Sequence, residues 1–311
     1  MLIDVIIPTY KPDERLLTII EMLKAQTVRP TRVVLMNTEQ KYIEHLFRGR
    51  MYEQYMKFIE VHHVSGWEFD HGKTRNQGAI GSEAEVLIYM TQDAVPKDET
   101  LIEKLIKPLV DGKAEASYAR QIPYEDATLA EKFSREFNYP DTSVIKSAAD
   151  IEKMGIKAFF CSNACAAYRR DVFESLGRFP VNMIFNEDMV FAHKLITSGY
   201  RIAYTASAEV MHSHNYTNMQ QFHRNFDLAV SQKMHPEVFE NVSSESEGIS
   251  YAKAAFGYFK EKGKPFAFIP FAITCAYRLY GFKLGKRYES LSHRKILKYT
   301  MSPRFFKKMW S

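Results

Sequence analysis

Short apolar runs alternate with helical periodicity through the first part of the chain. Asp4–Pro8, Arg32–Met36 and Val86–Thr91 have the length and composition of strands buried on both faces. Asp13–Gln26 has the spacing of an amphipathic helix. Gln40–Lys57 and Lys73–Gly81 read as helical, and Phe58–Val64 as extended. The resulting βαβαβαβ order predicts an α/β domain, a mostly parallel sheet with helices on both faces. Ligands of such sheets bind outside the carboxyl ends of the strands. The segments that bear on function are therefore Pro8-Thr9-Tyr10, Asn37-Thr38-Glu39, Trp67–Asn76 and Gln92-Asp93-Ala94.

Between about Tyr118 and His214 short strands and helices mix, and most of the remaining polar clusters fall there. From about Tyr216 onward the pattern is helical, interrupted at Pro236, Pro265, Pro270 and Pro303. The longest uncharged stretch of that region, Pro265–Tyr277, is 13 residues, too short to span a bilayer as a helix.

With 311 residues, 46% hydrophobic and 25% charged, the chain can bury one large core or two smaller ones. Its three cysteines, Cys161, Cys165 and Cys275, supply no disulfide framework. The Cys161-x3-Cys165 spacing lacks a second pair to complete a zinc site. The N-terminus runs directly into Leu2–Ile7 with no basic leader or small-residue cleavage site, which predicts a cytosolic protein. The net charge of +5 is unevenly spread: Ser250–Ser311 holds 14 Lys/Arg against two Glu, leaving 28 against 35 acidic residues before it. A basic tail interleaved with aromatics, as in Arg304–Trp310, predicts salt-sensitive peripheral contact with an anionic membrane face. No nucleic-acid-binding motif accompanies it, so nucleic acid is not an expected partner.

Four clusters carry candidate chemistry. In Tyr89–Pro96 an apolar strand ends on Asp93 and a turn proline follows. A carboxylate there suits Mg²⁺ or Mn²⁺, which takes one or two carboxylates plus phosphate oxygens; an Asp that only caps the next turn has the same pattern. Glu187 and Asp188 precede a helix from about Met189 to Ser198. They suit the helix dipole, and one of them would equally serve as general base toward a hydroxyl. His212 and His214 follow the strand-like Ala208–Met211 at i and i+2, so they share a face. No further zinc-type ligands lie nearby, which leaves a Mg²⁺ or Mn²⁺ shell or a structural pair. Gly66–Thr74 has five bulky and acidic residues between its first two glycines and is not a P-loop. It reads as a loop ending at a helix N-terminus near Lys73, with Arg75 able to pair a phosphate. The absence of G-x-G-x-x-G removes the dinucleotide fingerprint.

Taken in order, Ile7-Pro8-Thr9-Tyr10, Phe69–Asn76, Thr91-Gln92-Asp93-Ala94, Asn186-Glu187-Asp188 and His212–Tyr216 resemble family 2 glycosyltransferases. The likeness is greatest to bacterial rhamnosyltransferases of cell-wall or capsular polysaccharide synthesis. Arg120–Pro123, Asn138-Tyr139-Pro140, Ser162-Asn163 and Tyr168-Arg169-Arg170 are weaker matches in the same order. The resemblance implies a GT-A domain over residues 1–230. Residues 1–115 would form its nucleotide-sugar-binding half and 116–230 its acceptor and catalytic half, followed by a helical basic-aromatic region over 231–311.

It also implies roles. Pro8, Thr9, Tyr10, Asn37, Glu39, Asp70, Arg75, Gln92 and Asp93 would bind the nucleotide sugar, with Arg75 on the diphosphate. Asp93, His212 and His214 would hold Mg²⁺ or Mn²⁺, and Asp188, beside Glu187, would be the base. The implied reaction is an inverting transfer to a glycan acceptor from dTDP-L-rhamnose, with another dTDP- or UDP-sugar as the alternative donor; a lipid-linked acceptor at the inner face of the cell membrane is compatible with it. Two departures stand out. The D-x-D element is reduced to Thr91-Gln92-Asp93, and the second strand ends in Asn37-Thr38-Glu39 where acids are usual. A non-catalytic nucleotide-sugar- or carbohydrate-binding protein on the same scaffold is the alternative reading.

Overall fold

The structure, a computed structural model, describes residues 1–47, 50–240 and 245–311. The chain divides into two compact units. The first comprises Met1–Tyr124, Tyr139–Val181 and Glu187–His212; the second comprises Glu125–Asn138, Asn182–Asn186 and Ser213–Ser311.

The first unit is built on one sheet. Its strands are β1 (Ile3–Tyr10), β2 (Arg32–Thr38), β3 (Ile59–Val64), β4 (Val86–Met90), β5 (Val95–Pro96), β6 (Ala116–Ile122), β7 (Val144–Lys146), β8 (Cys165–Arg169) and β9 (Ile202–Met211). The spatial order is β3-β2-β1-β4-β8-β6-β9-β5, with β7 also on β9. The first four strands are parallel, as the alternation of apolar runs and helices requires. Beyond them the sheet is mixed: β8 runs antiparallel to β4 and β6, β6 is parallel to β9, and β5 and β7 lie antiparallel on β9.

Ile3, Val5, Ile6 and Ile7 of β1 are fully buried. The helix Arg15–Lys24 covers one face of the sheet with Leu16, Ile19, Ile20 and Leu23 at i, i+3, i+4 and i+7. Each such side chain contributes about 1.5–3 kcal/mol on burial. The one buried acid of β1, Asp4, is matched by Arg32 on β2, its register partner.

The expected helix Gln40–Lys57 is not continuous. A 3₁₀ turn spans Gln40–Tyr42, turns follow, and a helix runs over Arg50–Met56; Arg48 and Gly49 lie outside the described residues. Ile43, Leu46 and Phe47 still reach the core from the turns. Their spacing produced the helical signature without the helix.

Topology fixes where function can lie. Because β8 is antiparallel to β4, Cys165 at its start sits opposite Met90 at the end of β4. The carboxyl ends of β1, β2, β4, β6 and β9 and the segment entering β8 therefore share one edge.

The second unit is helical: Leu129–Asn138, Asn218–Met234, Pro236–Phe239, Glu245–Glu261, Phe268–Gly285, His293–Tyr299 and Pro303–Trp310. Thr217 and Gln220 form a capping box that starts the Asn218–Met234 helix. The Phe268–Gly285 helix lies backbone-close against it. A Cβ on Gly281 would fall 2.2 Å from the Phe222 carbonyl oxygen, and one on Gly285 2.3 Å from that of Phe226. In the tail, Phe306 is fully buried with Phe226, Val230 and Ile296, and Trp310 stacks on His293 at 3.7 Å. These tail aromatics are core, while Arg304 and Lys307 are exposed.

Candidate active site

The carboxylate pair opens the helix Glu187–Thr197, which starts two residues earlier than its periodicity predicts. Asn186 precedes it with φ of 63°, a left-handed conformation that Asn tolerates better than most residues. Glu187 is 5% exposed and its Oε1 lies 3.1 Å from Arg75 Nη1. The same oxygen accepts from Asn163 Nδ2 at 3.3 Å. Half-buried Asp188 accepts from the backbone N–H groups of Asn163 at 3.2 Å and Met189 at 2.8 Å.

The two carboxyls are pushed apart. Burial, and after it the charge of Glu187, raise Asp188 from 3.8 to about 7. Burial opposes ionisation of Glu187 too, but Arg75 and the other partners outweigh it and hold Glu187 below the usual range. One acid is thus kept as a fixed anion while its neighbour is poised to exchange a proton near neutral pH.

The Phe69–Asn76 motif builds this arrangement. Asp70 caps the helix His71–Gly78 by accepting from Lys73 N–H at 2.7 Å. A Cβ on Gly72 would lie 1.8 Å from the Pro180 carbonyl oxygen, so only glycine allows that approach. Asn76 clamps Phe179 in both directions, donating to its carbonyl at 2.9 Å and accepting from its N–H at 3.2 Å. Arg75 was expected on a diphosphate. The residue is 6% exposed, and its guanidinium meets Glu187 and the His71 carbonyl from the inward side of this helix.

At the end of β4, Asp93 Oδ1 lies 3.4 Å from His212 Nε2. His212 Nδ1 is 2.7 Å from Gln121 Oε1, and Gln121 Nε2 donates to Ser162 Oγ at 3.0 Å. Gln121 Oε1 can only accept, so Nδ1 donates to it and Nε2 is left facing the Asp93 carboxylate. A ring nitrogen and a carboxylate oxygen placed in this way could hold a metal ion between them. His214 opens the second unit, where its N–H donates to Glu131 and its ring stacks on Tyr216.

Asp93, His212, Gln121, Ser162, Asn163 and the carboxylate pair form one polar path across the strand ends. Gln121 and Asn163 were missed as site residues. Their neighbourhoods were visible as short motifs, but their roles depend on β6 and β8 being adjacent in the sheet.

The remaining expected residues line the same edge. Thr9 hydroxyl donates to Asn37 Oδ1 at 3.1 Å, and Pro8 pairs in register with Met36. Gln92 ties the ends of β1 and β4, accepting from Tyr10 N–H at 2.7 Å and donating to Tyr10 carbonyl at 3.0 Å. Glu39, at φ of 65°, accepts from Gly66 N–H at 2.7 Å and anchors the following loop. Exposed Tyr10 meets Tyr42 edge-on at 5.3 Å, with Lys11 Nζ 4.9 Å from the Tyr42 ring.

Arg15 is a third residue the sequence did not single out. It forms a paired contact with Asp13, lies 6.0 Å from the Tyr124 ring, and is raised by its Asp13 hydrogen bonds and also by the Asp93 charge. Tyr124 hydroxyl in turn donates to the Asp93 carbonyl at 3.0 Å. Arg15 is thus a cation within electrostatic reach of Asp93.

Residues 4–177 match the family model described as glycosyl transferase family 2. The chain is 37% identical to the O-antigen chain rhamnosyltransferase RfbN of Salmonella typhimurium, across 94% of this chain and 91% of that one. It is 40% identical to the O-antigen chain rhamnosyltransferase WbaN of Salmonella anatum, across 73% of each. Among solved structures, TarS residues 1–349 of S. aureus with UDP-GlcNAc superpose with a TM-score of 0.53 at 13% identity, covering 93% and 92%. The mannosyltransferase PcManGT of Pyrobaculum calidifontis, with GDP-Man and Mn²⁺, gives 0.54 at 15% identity, covering 99% and 87%. These two likenesses are of fold. With the family model matching more than half of its length and two long relatives above 30% identity, this chain belongs to glycosyl transferase family 2 and is a glycosyltransferase.

Proposed function

We propose that the chain transfers L-rhamnose from dTDP-L-rhamnose to a glycan acceptor in cell-surface polysaccharide synthesis, with inversion at the anomeric carbon. The observation that carries the mechanism is the split pair, with Glu187 held ionised and Asp188 raised to about 7 at the edge that also holds Asp93 and His212. The donor assignment is supported by the two long relatives named as rhamnosyltransferases.

Asp188, as carboxylate, takes the proton from an acceptor hydroxyl. The freed oxygen forms a bond to the anomeric carbon as the bond from that carbon to the diphosphate oxygen breaks, releasing dTDP. Glu187 keeps Asp188 basic, and Arg75 holds Glu187 ionised and in place. Asp93 and His212, with His214 following on the chain, are the residues that would hold Mg²⁺ or Mn²⁺. Such an ion, when bound, offsets charge on the departing diphosphate. Arg15 adds positive charge on the same side. Tyr10 and Tyr42 offer an aromatic surface for the base, and Thr9 with Asn37 polar groups for the nucleoside.

The setting proposed is the cytoplasmic face of the membrane, with a lipid-linked acceptor. It is supported by the basic C-terminal region, and among the described residues no helix is long and apolar enough to cross a bilayer. The test is a panel of dTDP-, UDP- and GDP-sugars offered to purified chain with and without glycan acceptor. Acceptor-dependent release of dTDP from dTDP-L-rhamnose supports the reading. Turnover of another donor with none of dTDP-L-rhamnose refutes it.

A further inference from the structure

The helix Phe268–Gly285 is apolar on both faces, yet only one is covered. Phe271, Gly281 and Gly285 are buried, the glycines against the backbone of the Asn218–Met234 helix. The opposite face leaves Ile269 60%, Ile273 48%, Leu279 55% and Tyr280 59% exposed. Just before it, Phe266 is 82% exposed at the tip of a turn between Lys264 and the helix. Phe256, 49% exposed on the preceding helix, meets Phe268 edge-on at 5.4 Å and extends the same apolar surface. A helix that is hydrophobic all round is ordinarily covered on both sides. An exposed apolar surface of this kind marks an interaction site.

Charge distinguishes its partner. From Lys262 to Tyr288 the chain has six Lys/Arg and no acidic residue. Exposed Lys262 and Lys264 precede Phe266, and exposed Lys283 follows the apolar stripe. A second copy packed isologously on this face would set the same basic excess against itself, with only Glu261 and Glu289 at its borders to answer it. Anionic lipid answers both features, taking the apolar side chains to the depth of the acyl boundary while lysines meet headgroups.

We infer that the face formed by Phe256, Phe266, Ile269, Ile273 and Tyr280 is the surface by which this chain docks onto an anionic bilayer, lying in the interface rather than crossing it. This deepens the membrane setting proposed above and assigns it to this turn and helix, not to the tail beyond Lys283, where Phe306 is buried and half-buried Trp310 packs against the same cluster.

Co-sedimentation of the full chain with vesicles tests the assignment, using phosphatidylcholine alone and phosphatidylcholine with phosphatidylglycerol, at about 0.1 M and about 1 M salt. The parent is expected to bind the anionic vesicles and to be weakened by salt. Ile269→Asp with Ile273→Asp should weaken binding by about tenfold or more, and Lys262→Glu with Lys264→Glu by a similar factor. All four side chains are exposed, so melting temperature and dTDP release without vesicles should stay at parent values. Undiminished vesicle binding by the Ile pair overturns the assignment while leaving membrane association intact. A parent that ignores anionic vesicles but sediments as a dimer dispersed by Ile273→Asp overturns it in favour of a second copy. Neither outcome alters the donor reading, which rests on nucleotide release alone.

Discussion

Replacing Glu187 by Gln keeps its shape and removes its charge, which isolates its effect on Asp188. In the parent, Asp188 stands about three above its usual 3.8, equivalent to about 4 kcal/mol of preference for the protonated form. Burial is the larger cause and survives the substitution; the Glu187 charge is the second. Its removal should therefore lower the Asp188 pKa; a drop of one would correspond to about 1 kcal/mol. Arg75, relieved of its partner, acts on Asp188 in the same direction. The assay is kcat for dTDP release between about pH 5 and pH 9, since the acid limb reports the base in the bound complex. The parent should rise through about pH 7, retaining roughly a tenth of its plateau one pH unit below the midpoint, whereas Glu187→Gln, after such a drop, should retain about half of its own plateau there. The plateau itself should fall a few-fold, because a weaker base takes the proton less readily. An acid limb that stays in place in Glu187→Gln would refute the pairing of these two residues. If Glu187→Gln abolished turnover while Asp188→Asn did not, the roles would be reversed.

Three further outcomes follow from the geometry. Excess EDTA, or His212→Ala, should reduce transfer to near background, with Mg²⁺ or Mn²⁺ restoring the chelated parent; full transfer in EDTA would remove the metal from Asp93 and His212. Gly72→Ala must move the Pro180 carbonyl from 1.8 Å, and should cost about 1–3 kcal/mol in urea denaturation as well as turnover; parental stability would show that the segment yields freely. Asp227, buried and accepting from Thr300 hydroxyl and Met301 N–H, is raised to about 7 chiefly by burial. Its folded pKa exceeds the unfolded one, so the folded state holds the extra proton and stability falls as pH rises from about 4 to about 7. Asp227→Asn should flatten that slope, and an unchanged slope would rule the residue out as its source.

The parallel half of the fold was legible because β1, β2 and β4 are apolar runs long enough to register, with helices of clear period between them. The short strands β5 and β7, of two and three residues, carry too little pattern to be read. The order β4-β8-β6-β9 is set by non-local pairing that periodicity does not record. The site followed the same division. Asp93, Glu187, Asp188 and His212 stood out because each ends a strand or opens a helix. Arg75 was visible as a motif residue, but its partner is remote in sequence, so its ion pair with Glu187 could only come from the fold. Gln121, Asn163 and Arg15 are ordinary polar residues in sequence. Their importance arises where three strand ends and one helix start meet.

Proton removal by Asp188 during glycosyl transfer can be read from single-turnover transfer of rhamnose from dTDP-L-rhamnose to a glycan acceptor. Donor affinity is measured in parallel by thermal shift. Asp188→Asn is expected to bind donor as the parent does, yet to transfer at least roughly 10²-fold more slowly. Transfer by Asp188→Asn within a few-fold of the parent would contradict proton removal by Asp188.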